Sequence, residues 1–212
     1  MSTQPATSKG AATRELILER AYAIACSAGL EGLSIGDLAL AVGMSKSGVF
    51  AHFGSREDLQ LAVLDSGGRR FGEKVLIPAL RAPRGLARLR AITEYWFDWV
   101  RDNRQGCLIM GAVSEYDSRP GRLHDAVTAL IQYWRDATAR ATAMAVETGE
   151  LPAGTDPAQM SFEIFGIALA LHQDIRLFDP QRARAQAECA MQRLLSLPSA
   201  AAAVASAHTP VA

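Results

Sequence analysis

The chain has 212 residues, of which 49% are hydrophobic, and a formal net charge of +0. This is enough apolar material to bury the core of one large domain or two small ones. Because the whole chain is neutral, its overall charge does not indicate nucleic-acid binding, and any such function must depend on a locally basic surface. The cysteines Cys26, Cys107 and Cys189 are odd in number and far apart, which excludes metal-ligand spacing and argues against a disulfide framework.

The cysteine usage favours a reduced, cytoplasmic setting. The first residues contain no apolar run, so we expect no signal peptide. No stretch of the chain is long and apolar enough for a transmembrane helix, and we expect a soluble protein with no membrane partner.

The predicted fold is all-α, because apolar residues recur at spacings of three and four and no run of alternating β-branched residues occurs. Residues 1–12 and 198–212 lack a periodic apolar face, and we predict a disordered arm and a disordered tail there. In the first part of the chain, the pattern predicts helices over about 13–28, 35–42, 46–53 and 56–75. Serines precede the second and third of these helices as N-caps, and glycines end the first three.

The second part of the chain is predicted to hold longer helices, for a total of eight or nine. Pro78 and Pro83 bracket a break, and Pro120-Gly121 marks another. Between and after these breaks, the apolar spacing predicts helical segments over about 86–100, 107–113, 123–145, 157–178 and 180–197.

Residues 34–56 read SIGDLALAVGMSKSGVFAHFGSR, which is two short helices joined by a tight turn that contains glycine. This is the pattern of a helix-turn-helix. In the second helix, Val49 and Phe53 are spaced to pack inward, whereas Lys46, Ser47 and Phe50 face outward with Ala51. No acidic residue occurs from Ser45 to Arg56, and three serine-capped helix starts, after Ser34, Ser45 and Ser55, lie within residues 34–56. We therefore predict that these helix starts bind phosphates and hold the second helix in the major groove of DNA.

Longer strings in this region match a known family. They are Gly32-Leu33-Ser34-Ile35, then Phe50-Ala51-His52-Phe53, followed by Gly54-Ser55-Arg56-Glu57-Asp58-Leu59. The stretch from Arg14 to Leu64 resembles the DNA-binding domain of the TetR family of transcriptional regulators. The resemblance implies a three-helix DNA-binding domain over 13–60, followed by a helical ligand-binding and dimerisation domain over 61–197.

The resemblance also implies roles for single residues. Ser34 and Ser45 cap helices near phosphates, Lys46, Ser47 and Gly48 face bases or nearby backbone, and His52 and Arg56 reach phosphates. Phe50 departs from the pattern, because tyrosine is usual at this position and its hydroxyl meets a phosphate. Phe50 cannot make that hydrogen bond, but it can pack on a sugar or a thymine methyl group.

The second domain is expected to bind a small molecule and to form a homodimer. Aromatic and soft side chains concentrate between residues 96 and 134, and an apolar or aromatic effector fits that composition. The candidate ligand-binding residues are Trp96, Trp99, Cys107, Met110, Tyr116, Tyr133 and Trp134. The last two helices carry apolar faces that need a partner, and the candidate interface residues are Phe165, Leu169, His172, Ala187, Met191 and Leu194.

The resulting hypothesis is a ligand-responsive repressor that a small molecule releases from a palindromic operator in double-stranded DNA. The alternative is a helical small-molecule-binding protein with weak or no DNA binding, which Phe50 and Ala51 keep open. The sequence contains no nucleophile elbow, phosphate loop, dinucleotide-binding glycine pattern or HExxH motif, so we expect no enzyme, cofactor or metal site. An activator cannot be distinguished from a repressor by sequence.

Overall fold

The computed structural model describes residues 9–104 and 106–196, and within these ranges every regular element is helical. The predicted all-α fold is confirmed. The helices are α1 (Lys9–Ala28), α2 (Ile35–Val42), α3 (Lys46–Phe53), α4 (Arg56–Phe71), α5 (Ile77–Ala79), α6 (Leu86–Asp102), α7 (Leu108–Tyr116), α8 (Arg122–Glu147), α9 (Pro157–Leu177) and α10 (Pro180–Ser196). A π-helical turn, Gly72–Leu76, joins α4 to α5. Among the described helices, none is both long and apolar enough to cross a membrane.

The ends of the helices agree with the sequence pattern in most places. The helix α1 begins at Lys9, so residues 9–12 of the predicted arm are helical, while residues 1–8 and the predicted tail at 198–212 lie outside the described residues. Pro78 lies inside α5 rather than at a break, because a proline is tolerated in the first turn of a helix. The break follows α5 and closes at Gly85, whose φ of 97° favours glycine.

The described chain divides into two compact units whose boundary differs from the predicted one. The first unit comprises residues 9–70 and 106–129, and the second comprises 71–104 and 130–196. The short helix α7 and the start of α8 therefore belong with the helix-turn-helix, although the sequence placed them in the ligand-binding domain. The physical reason is close packing: a Cβ atom added to Gly67 on α4 would lie 2.7 Å from the Leu108 side chain at the start of α7.

The core of the first unit is made by apolar residues that recur along α1 and are met by single side chains from the short helices. Ile17 and Ala21 on α1, Leu38 on α2, Val49 on α3 and Leu59 on α4 are fully buried. Each large aliphatic side chain contributes about 1.5–3 kcal/mol by leaving water. Two helices as short as α2 and α3 are marginal alone, so this burial is what holds them in place.

The second unit packs α9 against α10 and α6. Its core contains the fully buried Leu89, Ile164 and Leu171 together with a group of aromatic rings. Asp156 begins α9 as an N-cap whose carboxylate accepts the Ala158 N–H at 2.8 Å. Pro157 follows it at the first helical position, where the missing N–H costs no hydrogen bond.

Candidate nucleic-acid interface and ligand site

Capping hydrogen bonds fix the start of α2 and the turn between α2 and α3. Ser34 caps the start of α2, with its Oγ accepting the Asp37 N–H at 3.0 Å. At the end of α2, Gly43 adopts a left-handed φ of 68°, and the Met44 N–H closes the helix by donating to the Ala39 carbonyl at 2.9 Å. Ser45 then caps α3, accepting the Gly48 N–H at 3.1 Å. The predicted capping roles of both serines are confirmed as geometry, and α3 is held at a fixed angle to α2.

The helix α3 separates its side chains by face as its sequence predicts. Val49 and Phe53 are buried, and Arg14 of α1 covers the Phe53 ring at 4.8 Å. The opposite face exposes Lys46, Ser47, Phe50 and Ala51 to solvent. The Phe50 ring is 42% exposed, so this face can offer an apolar contact as well as a charge to another molecule.

Two residues on this face have simple electrostatic and steric roles. Lys46 is exposed and makes no ion pair within the described part of the chain, so its charge is available to an anion. Gly48 packs against its own turn: a Cβ atom there would lie 3.2 Å from the Met44 side chain and from the Ser45 hydroxyl. The glycine keeps the start of α3 compact and leaves a smooth surface.

Arg56 has partners that the sequence did not predict. Its Nε donates to the Leu33 carbonyl at 3.2 Å, and its Nη2 donates to the Glu31 carbonyl and pairs with the Glu31 carboxylate at 3.2 Å. The guanidinium is thus used to hold the loop between α1 and α2, although it was predicted to reach a phosphate. His52, the other predicted phosphate contact, is half-buried at the end of α3.

Glu31 is the centre of a polar cluster that sequence reasoning missed. Besides Arg56, its carboxylate accepts the Tyr116 hydroxyl at 2.9 Å and pairs with Arg119 at 3.3 Å. From the end of α7, the Glu115 carboxylate accepts the Leu30 N–H at 2.9 Å. These contacts attach the end of α7 to the loop that leads into the helix-turn-helix, and no local spacing in the sequence could have shown them.

Tyr116 was predicted to bind the ligand, but the structure places it in this cluster. Burial and the hydrogen bond to Glu31 raise the pKa of Tyr116 above its usual value, so its hydroxyl stays protonated and acts as a donor. The buried Gln60 of α4 lies at 3.4 Å from the same hydroxyl and donates to the Leu30 carbonyl at 2.7 Å. Tyr116 therefore links α7 to α4 and to the loop after α1 within the first unit.

Three of the predicted ligand residues meet in the second unit, around the ring of Phe71 at the end of α4. This ring stacks on Trp134 with 3.9 Å between centroids and meets Trp96 and Trp99 edge-on at 5.5 and 5.7 Å. Phe165 of α9 extends the group by an edge contact to Trp96 at 5.8 Å. We call these five residues the aromatic cluster. The π-helical turn begins directly after Phe71, and such turns occur frequently at functional sites.

The other predicted ligand residues lie elsewhere. Cys107, Met110 and Tyr116 belong to the first unit, and Tyr133 is 57% exposed on α8. Their position between residues 96 and 134 suggested one pocket, but the helical turn separates Tyr133 from Trp134 by about 100°. The sequence alone could not show this separation between neighbours of similar chemistry.

Two polar groups beside the apolar core of the second unit have a buried atom without a partner among the described residues. The Arg135 guanidinium lies over the Phe165 ring at 4.7 Å, and its Nε makes no hydrogen bond. The His172 Nε2 is also unpaired, and burial, together with the charge of Arg176, lowers the pKa of His172. The histidine is therefore neutral at neutral pH.

The residues predicted for a dimer interface divide into two groups. Phe165, Ala187, Met191 and Leu194 are buried within the single chain, where α9 packs on α10 and on the core of the second unit. Leu169 is 41% exposed, and His172 is half-buried. The exposed apolar residues of α9 are Phe162, Leu169 and Leu177, which share a face with Gly166 and Ala170. Most of the apolar surface of α9 and α10 is therefore buried within the single chain. A stripe on α9, formed by Phe162, Leu169 and Leu177, remains exposed to solvent.

Comparisons with known proteins agree with this architecture at both ends of the chain. The family model described as "Bacterial regulatory proteins, tetR family" matches residues 17–63. The model described as "Tetracyclin repressor-like, C-terminal domain" matches residues 85–191. No curated protein is similar enough in sequence to count as a match.

Solved structures of similar fold include several transcriptional regulators. One from Chloroflexus aurantiacus is 24% identical with a TM-score of 0.75, and the match covers 90% of this chain and 96% of that one. One from Streptomyces coelicolor is 22% identical with a TM-score of 0.77, covering 92% and 96%. AibR, in complex with isovaleryl coenzyme A and operator DNA, is 26% identical with a TM-score of 0.66, covering 82% and 96%.

Proposed function

Because this chain belongs to the TetR family of bacterial transcriptional regulators, we propose that it binds a palindromic operator as a homodimer in the cytoplasm and is released from it by a small apolar molecule. In this proposal the protein is a repressor and not an enzyme. The observation that supports DNA binding most directly is the outer face of α3, where Lys46, Ser47 and Phe50 are exposed on a helix capped at both ends. A helix presented in this way fits the major groove.

The charge of Lys46 provides the first test of this proposal. Each phosphate that a lysine neutralises releases counterions and steepens the dependence of DNA affinity on salt. Lys46→Ala is expected to reduce the slope of log affinity against log salt by about one for each subunit bound. Lys74→Ala is the matched control, because Lys74 is also exposed but lies in the second unit. A slope that is unchanged by Lys46→Ala and reduced by Lys74→Ala would contradict the proposed orientation.

A substitution at Phe50 is expected to strengthen DNA binding and so tests the proposal by a gain of affinity. The family pattern has a tyrosine here, so Phe50→Tyr restores a hydroxyl where a phosphate is expected. One added hydrogen bond to a charged group contributes about 1.5–3 kcal/mol, which is roughly a tenfold to hundredfold gain in affinity. The gain is measured by fluorescence anisotropy on an operator duplex selected from a random DNA pool. An unchanged affinity would show that residue 50 does not lie near the backbone of the DNA.

The aromatic cluster is the proposed effector site. It lies in the second unit, beside the unpaired Nε of Arg135, and AibR shows that a regulator of similar fold binds both a ligand and its operator. All three tryptophans of the chain are in the cluster, so intrinsic fluorescence reports on it directly. A screen of apolar and aromatic compounds is expected to find molecules that release DNA and change tryptophan fluorescence together.

Substitutions at two neighbouring residues distinguish binding in the aromatic cluster from binding at the protein surface. Trp134→Phe changes a ring of the cluster and is expected to shift the effector concentration for half-release several-fold. Tyr133→Phe, at the exposed adjacent position, is expected to have no effect. The reverse pattern would show that the effector binds at the surface of α8.

The dimer is proposed to use the exposed stripe of α9. Two copies related by a two-fold axis would bury Phe162, Leu169 and Leu177 against each other. A two-fold dimer carries two copies of α3, as a palindromic operator requires. Leu169→Glu places a charge in this stripe and is expected to give monomers in sedimentation velocity. Leu40→Glu, at an exposed leucine of α2, is the control that should remain dimeric.

A further inference from the structure

Two cysteines that are distant in the sequence meet in the first unit. Cys26 lies near the end of α1, and Cys107 is the residue directly before α7. Both are free and half-buried. The backbones are in direct contact here, because a Cβ atom added to Gly106 would lie 1.8 Å from the Cys26 carbonyl oxygen. Only a residue without a side chain permits this approach, and it brings the next residue, Cys107, beside Cys26.

The surroundings of Cys26 show that its sulfur points toward the start of α7. The Leu108 amide, the first N–H of that helix, favours the thiolate form of Cys26, and the Tyr22 hydroxyl is hydrogen-bonded to the same sulfur. Cys107 is close enough for its charge to act on both Cys26 and Tyr22. The Arg70 guanidinium covers the Tyr22 ring at 4.3 Å and adds a positive charge.

These groups act on the thiol in opposite directions. Burial is the largest of these effects and raises the pKa of Cys26 overall, while the Tyr22 hydroxyl, the Leu108 amide and the charge of Arg70 partly offset it. The two cysteines are therefore coupled by their proximity in the fold and not by an activated thiolate. A pair of such thiols in a protein of a reducing compartment is more typical of redox sensing than of a structural bond.

We propose that Cys26 and Cys107 are a reversible dithiol–disulfide pair that responds to hydroperoxides. One thiolate attacks the O–O bond of hydrogen peroxide, which breaks and leaves a sulfenic acid and, after protonation, one water. The second thiol attacks the sulfenic sulfur, forms the S–S bond and releases a second water. Two thiols are thus oxidised by two electrons, hydrogen peroxide is reduced to two waters, and a dithiol reductant reverses the change.

The bond joins α1 to the start of α7 and closes the loop of residues 27–106, which contains the helices from α2 to α6. Because this loop is long, constraining it in the unfolded chain stabilises the folded form. The oxidised protein is therefore expected to unfold at a temperature higher by roughly 5 °C or more. This inference does not depend on the proposed operator or effector, because its test requires neither.

The experiment uses the full chain with Cys189→Ser, which removes the exposed third thiol and the intermolecular bonds that it would form. The protein is treated with hydrogen peroxide at stoichiometric amounts, and its thiols, peptide masses and melting temperature are measured. We expect both thiols to disappear together, a peptide pair linked through Cys26 and Cys107, monomeric chains on a non-reducing gel, and full recovery with dithiothreitol.

Two further variants test the pairing itself. With Cys189→Ser as background, Cys26→Ser and Cys107→Ser each leave one thiol, and neither is expected to show the rise in melting temperature. The proposal is overturned if hydrogen peroxide converts the protein with both thiols reduced into separate sulfinic acids or only into intermolecular disulfides. An identical rise in melting temperature in either single-thiol variant would overturn it as well.

Discussion

The ring of Phe71 supports the aromatic cluster, and its removal has a calculable cost. Phe71 is 1% exposed and touches three tryptophans, with a stacked contact to Trp134 at 3.9 Å. Phe→Ala in a packed core destabilises by about 3–5 kcal/mol, and each favourable ring pair adds about 0.5–1.5 kcal/mol beyond burial. We expect Phe71→Ala to lower the free energy of unfolding by about 4 kcal/mol, out of a total of about 5–15 kcal/mol.

This loss is measured by urea denaturation followed by far-ultraviolet circular dichroism, which does not depend on the tryptophans that the substitution disturbs. With an m-value of about 2 kcal/mol per molar urea, the midpoint should fall by about 2 M. Phe50→Ala is the matched control: its ring is 42% exposed, so stability should change by no more than about 0.5 kcal/mol. If both substitutions cost the same, Phe71 is not enclosed by the cluster, and the aromatic cluster is not the packed unit proposed as the effector site.

The remaining predictions concern the first unit and its response to acid. Gly106→Ala drives a methyl group into the α1 backbone and should lower the free energy of unfolding by about 3 kcal/mol. Gly111→Ala has open space around it and should raise the free energy of unfolding by about 0.5–1 kcal/mol through helix propensity. The two variants are compared by their melting temperatures, and equal shifts would contradict the α1–α7 contact. The Ser55 hydroxyl and the Arg122 guanidinium hold the pKa of Asp58 below its usual range. A group with a lowered folded pKa stabilises the fold above its unfolded pKa, and this contribution is lost as pH falls through the folded pKa. Asp58→Asn should therefore flatten the acid limb of stability against pH, and an unchanged limb would show that the capping contacts do not persist in solution.

The helices themselves were largely predictable from the sequence. The caps at Ser34 and Ser45 and the stops at Gly43 and Gly54 are local signals, and they fix α2 and α3 at the predicted residues. The outward face of α3 was also predictable, because spacing along one helix determines which side chains share a face. The start of α1 was harder to predict, because Gly10 and its alanine neighbours are helical although they have no periodic apolar pattern.

Placement between helices could not be read from the sequence. Arg56 was assigned to a phosphate because of its charge and position, but its Nε and Nη2 donate to carbonyl oxygens and to Glu31, which comes from a different segment. Tyr116 and Trp134 have similar chemistry, but they belong to different units. The proximity of Cys26 to Cys107 depends on Gly106, which allows two backbones to touch. Each of these arrangements is a long-range contact for which a single sequence carries no local signal.

Whether α3 binds DNA as part of a two-fold dimer can be tested by selecting bound duplexes from a random DNA pool with the purified protein. We expect enrichment of a palindrome whose half-sites lie about 34–36 Å apart or near a multiple of that distance. Binding to this duplex should weaken steeply with salt and be lost with Lys46→Ala. No enrichment, with weak binding that is indifferent to sequence, would contradict the proposed DNA binding and leave a helical small-molecule-binding protein as the better description.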